Sequence, residues 1–81
     1  MEIGVEISLY PLRNDYIAPI EDVIARLNAD ARLRIVTNSM STQVFGDYEH
    51  VMQCLVRELR VSFEQHGIAV FVMKVLGPLP A

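Results

Sequence analysis

The chain has no tryptophan, a single cysteine, two histidines and seven basic residues among 81. One cysteine excludes a disulfide framework within the chain and fits a reducing compartment. The cations do not cluster: Arg26, Arg32, Arg34, Arg57, Arg60 and Lys74 are scattered, and the formal net charge is −3. A phosphate-tracking surface is therefore disfavoured, and no nucleic-acid partner is expected. No apolar run approaches the roughly 18 residues of a membrane span, and no signal peptide opens the chain, so a cytoplasmic protein without a membrane partner is expected. His50 and His66 lack metal-ligand spacing, and neither a metal nor a cofactor is expected. Cys54 lies on a helix flank with no basic neighbour placed to form a thiolate, and reads as a small buried hydrophobe. There is no Ser/His/Asp grouping, no phosphate-cradling glycine loop and no catalytic acid pair, so the expectation is a protein that is not an enzyme.

What the chain does have is apolar surface. Hydrophobic residues make up 52% of it, while a domain this small buries only about 60% of its unfolded surface. Association is the natural outlet for the excess, and the expectation is one domain, residues 1–81, that forms a homo-oligomer.

Residues 2–10 alternate, with Ile3, Val5, Ile7 and Leu9 on one side and Glu2, Gly4, Glu6, Ser8 and Tyr10 on the other. That is a strand with one apolar face, ended by Pro11. After a connection with Asn14 and Asp15, a helix begins near Pro19, with Ile20, Val23, Ile24 and Leu27 as its buried stripe and Asp22–Arg26 as an exposed pair. Arg32–Asn38 and Ser41–Phe45 read as two strands. If their turn centres on Ser39-Met40, Thr37 opposes Thr42 and Ile35 opposes Val44, and the apolar faces agree. Gly46-Asp47 starts a long helix with Met52, Leu55, Val56, Leu59 and Phe63 as its main stripe, widened by Val51, Cys54 and Val61; Gly67 closes it. Ile68–Val75 is the last strand.

The order βαββαβ predicts an α+β, ferredoxin-like sandwich: a four-stranded antiparallel sheet in the order fourth, first, third, second, with two helices on one face. This topology carries Ser8, Tyr10, the 11–18 connection and the Thr37–Thr42 turn to one end of the sheet. The turn has no glycine where a tight hairpin normally uses one. The sheet face away from the helices carries Glu6, Ser8, Tyr10, Arg34, Val36, Asn38, Ser41, Gln43 and Phe45, and, if Lys74 points outward, Val70 and Val72. With Lys74 outward, Ile68 belongs to this face as well; the face is too apolar for water and too polar for a core, which suits packing against another subunit.

The segments ISLYPL (7–12), DYIAPI (15–20) and TNSMSTQVFGDYEHV (37–51) resemble the YkoF-like thiamine-binding family, over nearly the whole chain. The resemblance implies a binding protein for thiamine or its hydroxymethylpyrimidine half, in a single-domain form that assembles as a dimer or tetramer through its sheets. It implies that Asn38, Ser41 and Thr42 hydrogen-bond an aminopyrimidine, with Met40 as a polarisable wall and Ser8 and Tyr10 at its edge and face. The alternative is that these hydroxyls satisfy the turn backbone and that Met40 and Tyr10 fill a subunit contact. The protein is then a structural or regulatory interaction module without a dedicated ligand. Glu6 reads as a structural ion-pair partner for Arg34 or Lys74.

Overall fold

The computed structural model of the protein describes residues 1–80. Its elements are β1 (Glu2–Pro11), α1 (Ile17–Asn28), β2 (Arg34–Thr37), β3 (Thr42–Asp47), α2 (Tyr48–His66) and β4 (Ala69–Leu76). The four strands form one sheet in the order β2-β3-β1-β4, every neighbouring pair antiparallel. The ferredoxin-like α+β fold expected from the alternation is the one observed. The predicted register also holds: Ile35 faces Val44 and Thr37 faces Thr42.

Period-two alternation explains where the core lies. Ile3, Val5 and Ile7 of β1 and Val44 of β3 are buried against Val23 and Leu27 of α1 and Val51, Cys54 and Leu55 of α2. On the other face, Gly4 pairs with Phe45, whose ring atoms lie 2.7 and 2.9 Å from where a Cβ on Gly4 would stand. Arg34 stacks over the same ring, 4.1 Å from its centre, a cation–π contact on the open face. Gly67 takes φ +81° and ends α2, its N–H donating to the Phe63 carbonyl at 3.1 Å. Asp47 stands at the start of α2 but makes no capping bond; it meets the Met1 ammonium at 3.4 Å.

The stripe of α2 differs from its sequence reading. Val56 and Phe63 are 66% and 46% exposed, while Glu58 and Ser62 are buried beside Val51, Cys54 and Leu55. The reason is a cross-helix ion pair. The guanidinium of Arg26 donates through Nε to a Glu58 carboxylate oxygen and through Nη2 to Ser62 Oγ at 3.1 Å. Arg26 also lies 3.9 Å from Asp22, but that pair is not its main bond. With Glu58 and Ser62 turned inward, Val56 and Phe63 face outward, and the Phe63 ring meets Phe71 of β4 edge-on with 5.7 Å between centres.

Asp30, just past α1, holds the α1–β2 connection. Its Oδ1 accepts the Arg32 N–H at 2.9 Å, and its Oδ2 accepts from the Cys54 thiol at 3.2 Å and lies 2.7 Å from His50 Nε2. The Arg32 N–H, then the Cys54 thiol, hold its carboxyl down from 3.8 to about 2, against the opposing effect of burial, with His50 adding to the lowering. A depressed carboxylate stabilises the fold above its unfolded value and loses that contribution as pH falls through the folded one. Thermal midpoints are therefore expected to fall between pH 3.8 and about 2, and Asp30→Asn is expected to flatten that decline. A melting series across this window in chelator-treated protein checks it.

Candidate functional site

β1 ends, β2 turns into β3 and α1 begins at one end of the sheet. The turn there is built by Asn38. Its N–H donates to the Ser41 carbonyl at 3.1 Å, and its Oδ1 accepts from the N–H groups of Met40 and Ser41 at 2.8 and 3.0 Å. The amide closes the turn without any non-glycine residue at positive φ, which is why glycine is dispensable here. The side-chain NH2 of Asn38 is left free to donate.

Between this turn, the start of α1 and the ends of β1 and β4 lies a cleft of about 390 Å³. Ile7, Leu9 and Phe71 belong to the sheet side, Ile20 and Ile24 to the helix side, and Tyr16, Thr37, Asn38 and Met40 to the rim. Its size suits a small organic ligand. Neither a carboxylate, a histidine, a cysteine nor a lysine lines it. Polarity comes from two threonines, whose hydroxyls lie 3.2 Å apart, from the turn, and from the beginning of α1. That helix has no side-chain cap and no acid in its first turn, so its positive end is not offset beside the cleft, which Tyr16 and Ile20 line. The arrangement can hold a flat, largely apolar ring with hydrogen-bonding nitrogens on its edge.

All six residues singled out in the sequence, Ser8, Tyr10, Asn38, Met40, Ser41 and Thr42, border this cleft. The pleat divides them. Ser8 and Tyr10 pair with Val72 and Val70, on the face opposite Ile7 and Leu9. Ser41 lies on that open face too, donating to Glu6 Oε2 at 3.2 Å, and Glu6 meets Lys74 at 3.8 Å as an ion pair. Thr42 is buried on the helix side, its hydroxyl 3.2 Å from that of the exposed Thr37. Met40, 86% exposed, stands at the tip between the two faces. Ile20 and Ile24 read in the sequence only as the buried stripe of a helix, and nothing in the sequence singles out Phe71 within the last strand. The helix stripe is the part of the lining that the sequence shows, since Ile20, Val23, Ile24 and Leu27 all border the cleft.

The fold and this end of the sheet together define a ferredoxin-like α+β domain with an apolar cleft beside its β2–β3 turn. The chain belongs to the YKOF-related Family, whose profile matches residues 2–75. No curated protein sequence matches it. Several solved structures share the fold, three of them as follows. A protein of Streptococcus pneumoniae superposes with a TM-score of 0.89 at 23% identity, over 98% of this chain and 89% of that one. A Thermotoga maritima protein assigned provisionally to thiamine biosynthesis or salvage gives 0.84 at 17% identity, over 93% and 82%. A hypothetical protein of Methanocaldococcus jannascii gives 0.82 at 17% identity, over 99% and 84%.

Proposed function

We propose that this protein binds thiamine or its hydroxymethylpyrimidine half in the cleft at the sheet end, without chemical change, and that copies associate through the open sheet face. The observation that carries the reading is the cleft lining: apolar walls, the Thr37 and Thr42 hydroxyls and a helix start, with no carboxylate, imidazole, amine or thiol. An aminopyrimidine is flat, has an amino donor for a threonine oxygen and ring nitrogens for N–H donors. Family membership and the Thermotoga maritima neighbour point the same way. A free cysteine fits a reducing, cytoplasmic setting. Among the described residues, no helix is long and apolar enough to cross a membrane.

Calorimetric titration with thiamine and with hydroxymethylpyrimidine tests the reading. Saturable heat at one ligand per chain is expected, together with a raised melting temperature. Absence of both at millimolar ligand removes the proposal.

A second reading, an interaction module without a ligand, is favoured by one observation. The open face leaves Tyr10, Val36, Val70, Val72 and Leu76 exposed in one sheet. The two readings are compatible, because the apolar walls of the cleft lie on the helix side of the pleat and this surface on the other, with Tyr10 at the border of both.

A further inference from the structure

We propose that Asp30, His50 and Cys54 form a binding site for a thiophilic divalent cation of the zinc type, at the end of the domain opposite the cleft. Three donor atoms converge there, one from each residue. His50 Nε2 lies 2.7 Å from Asp30 Oδ2, Cys54 Sγ lies 3.2 Å from the same oxygen, and sulfur and nitrogen are 3.5 Å apart. Tetrahedral zinc, with bonds of about 2.0–2.3 Å, sets its ligands about 3.3–3.6 Å from one another. Both contacts to sulfur already lie close to that spacing, and only His50 and Asp30 must part, by about 0.6 Å.

The geometry is that of a ligand set and not of a nucleophile relay. In a relay the imidazole bonds the acid through one nitrogen and the nucleophile through the other. Here a single nitrogen, Nε2, faces both the carboxylate and the sulfur. Asp30 is oriented from behind, because its second oxygen accepts the Arg32 N–H at 2.9 Å, the kind of outer contact that fixes a ligating carboxylate. His50 and Cys54 are one helical turn apart on α2, so their side chains share a face. Cys54 is buried, while the Asp30 and His50 side chains are 17% and 16% exposed, which leaves water access for a fourth position.

Arg57 Nη2 lies 3.6 Å from the sulfur and is the cation that faces the cluster among the described residues. Its side chain is 60% exposed and also pairs with Glu58, so it can turn toward that carboxylate when an ion arrives. On binding, the Cys54 thiol loses its proton to solvent and the thiolate, imidazole and carboxylate coordinate. One thiolate, one imidazole and one carboxylate favour zinc or cobalt over calcium or magnesium, which take all-oxygen sets. The ion would tie the α1–β2 connection to the first turns of α2, at a site separate from ligand binding.

The test uses the full, untagged chain, reduced and stripped with chelator, and titrated with zinc against a chromophoric competitor and with cobalt in a spectrophotometer. One ion per chain is expected, and cobalt should give a thiolate-to-metal charge-transfer band. Because Cys54 is the only cysteine, that band in the unaltered protein reports sulfur ligation without any variant. Cys54→Ser should abolish the band. Asp30→Asn and His50→Gln should weaken zinc by at least about tenfold, the loss that even outer-shell partners produce. His66→Gln, which removes the other His–Asp pair, 2.7 Å from Asp22, should change nothing. No charge-transfer band, zinc affinity unchanged in Asp30→Asn or His50→Gln, or affinity lost with His66→Gln overturns the assignment.

Discussion

Arg26→Met is expected to destabilise the domain by about 3 kcal/mol, the low end of the cost of breaking a buried ion pair. For a domain of this size each kcal/mol shifts the melting midpoint by about 4–8 °C, so a fall of about 12 °C or more should be measured. The positions of the two charges set the size of the effect. The Glu58 side chain is only 5% exposed and Arg26 is 25% exposed. Removing the guanidinium leaves a carboxylate without its main partner in a poorly solvated seam, and leaves the Ser62 hydroxyl without its donor. The low end applies because Arg57 Nε still lies 3.4 Å from the other Glu58 oxygen. Glu58→Leu added to Arg26→Met should restore most of the loss, since both charges are then gone and Ser62 can bond the carbonyl one turn back in its own helix. Melting curves of the two variants check this. A single variant within about 0.5 kcal/mol of the parent would mean that the seam is already hydrated.

That same seam marks the limit of what the sequence disclosed. The sheet was legible in detail, because each strand's alternation has only one side that can face the helices, and a slip of one residue would have exposed Ile3, Val5 and Ile7 together. The register of Thr37 with Thr42 followed from the same constraint. The long helix was legible as a helix but not in its rotation. Val56 and Phe63 continue an apolar stripe as well as Glu58 and Ser62 break it, and only Arg26 on another helix makes the polar pair buriable. Sequence spacing sees Asp22 four residues from Arg26; it does not see Glu58. The cluster of Asp30, His50 and Cys54 escaped for the same reason. The i,i+4 spacing of His50 and Cys54 was on view, but its third member comes from a connection 20 residues earlier.

The turn was legible as unusual and its neighbours followed from topology, but the division of its residues between two faces did not. Ser41 and Thr42 are adjacent in the chain and so point to opposite sides of the pleat, one to Glu6 and one to Thr37. A patch assembled from residues at one end of a sheet is therefore two surfaces, and each can carry its own role.

This division yields the second large effect. Ile20→Trp is expected to weaken thiamine or hydroxymethylpyrimidine binding by at least tenfold, about 1.4 kcal/mol, while Tyr10→Ala leaves the affinity within about twofold and loosens subunit association. Ile20 lines the cleft on the helix side and is only half-buried, so an indole can be placed there by occupying the cavity and not by displacing the core. Tyr10 lies across the pleat, paired with Val70 on the open face. Calorimetry reads the first quantity, and light scattering over a dilution series reads the second. The opposite pattern, ligand lost with Tyr10→Ala and retained with Ile20→Trp, would move the ligand to the open face, beside Ser8, Ser41 and Glu6. The pleat forces this choice: one small ring at the end of the sheet packs either against the helix side or against the open side, and the two substitutions probe those sides separately.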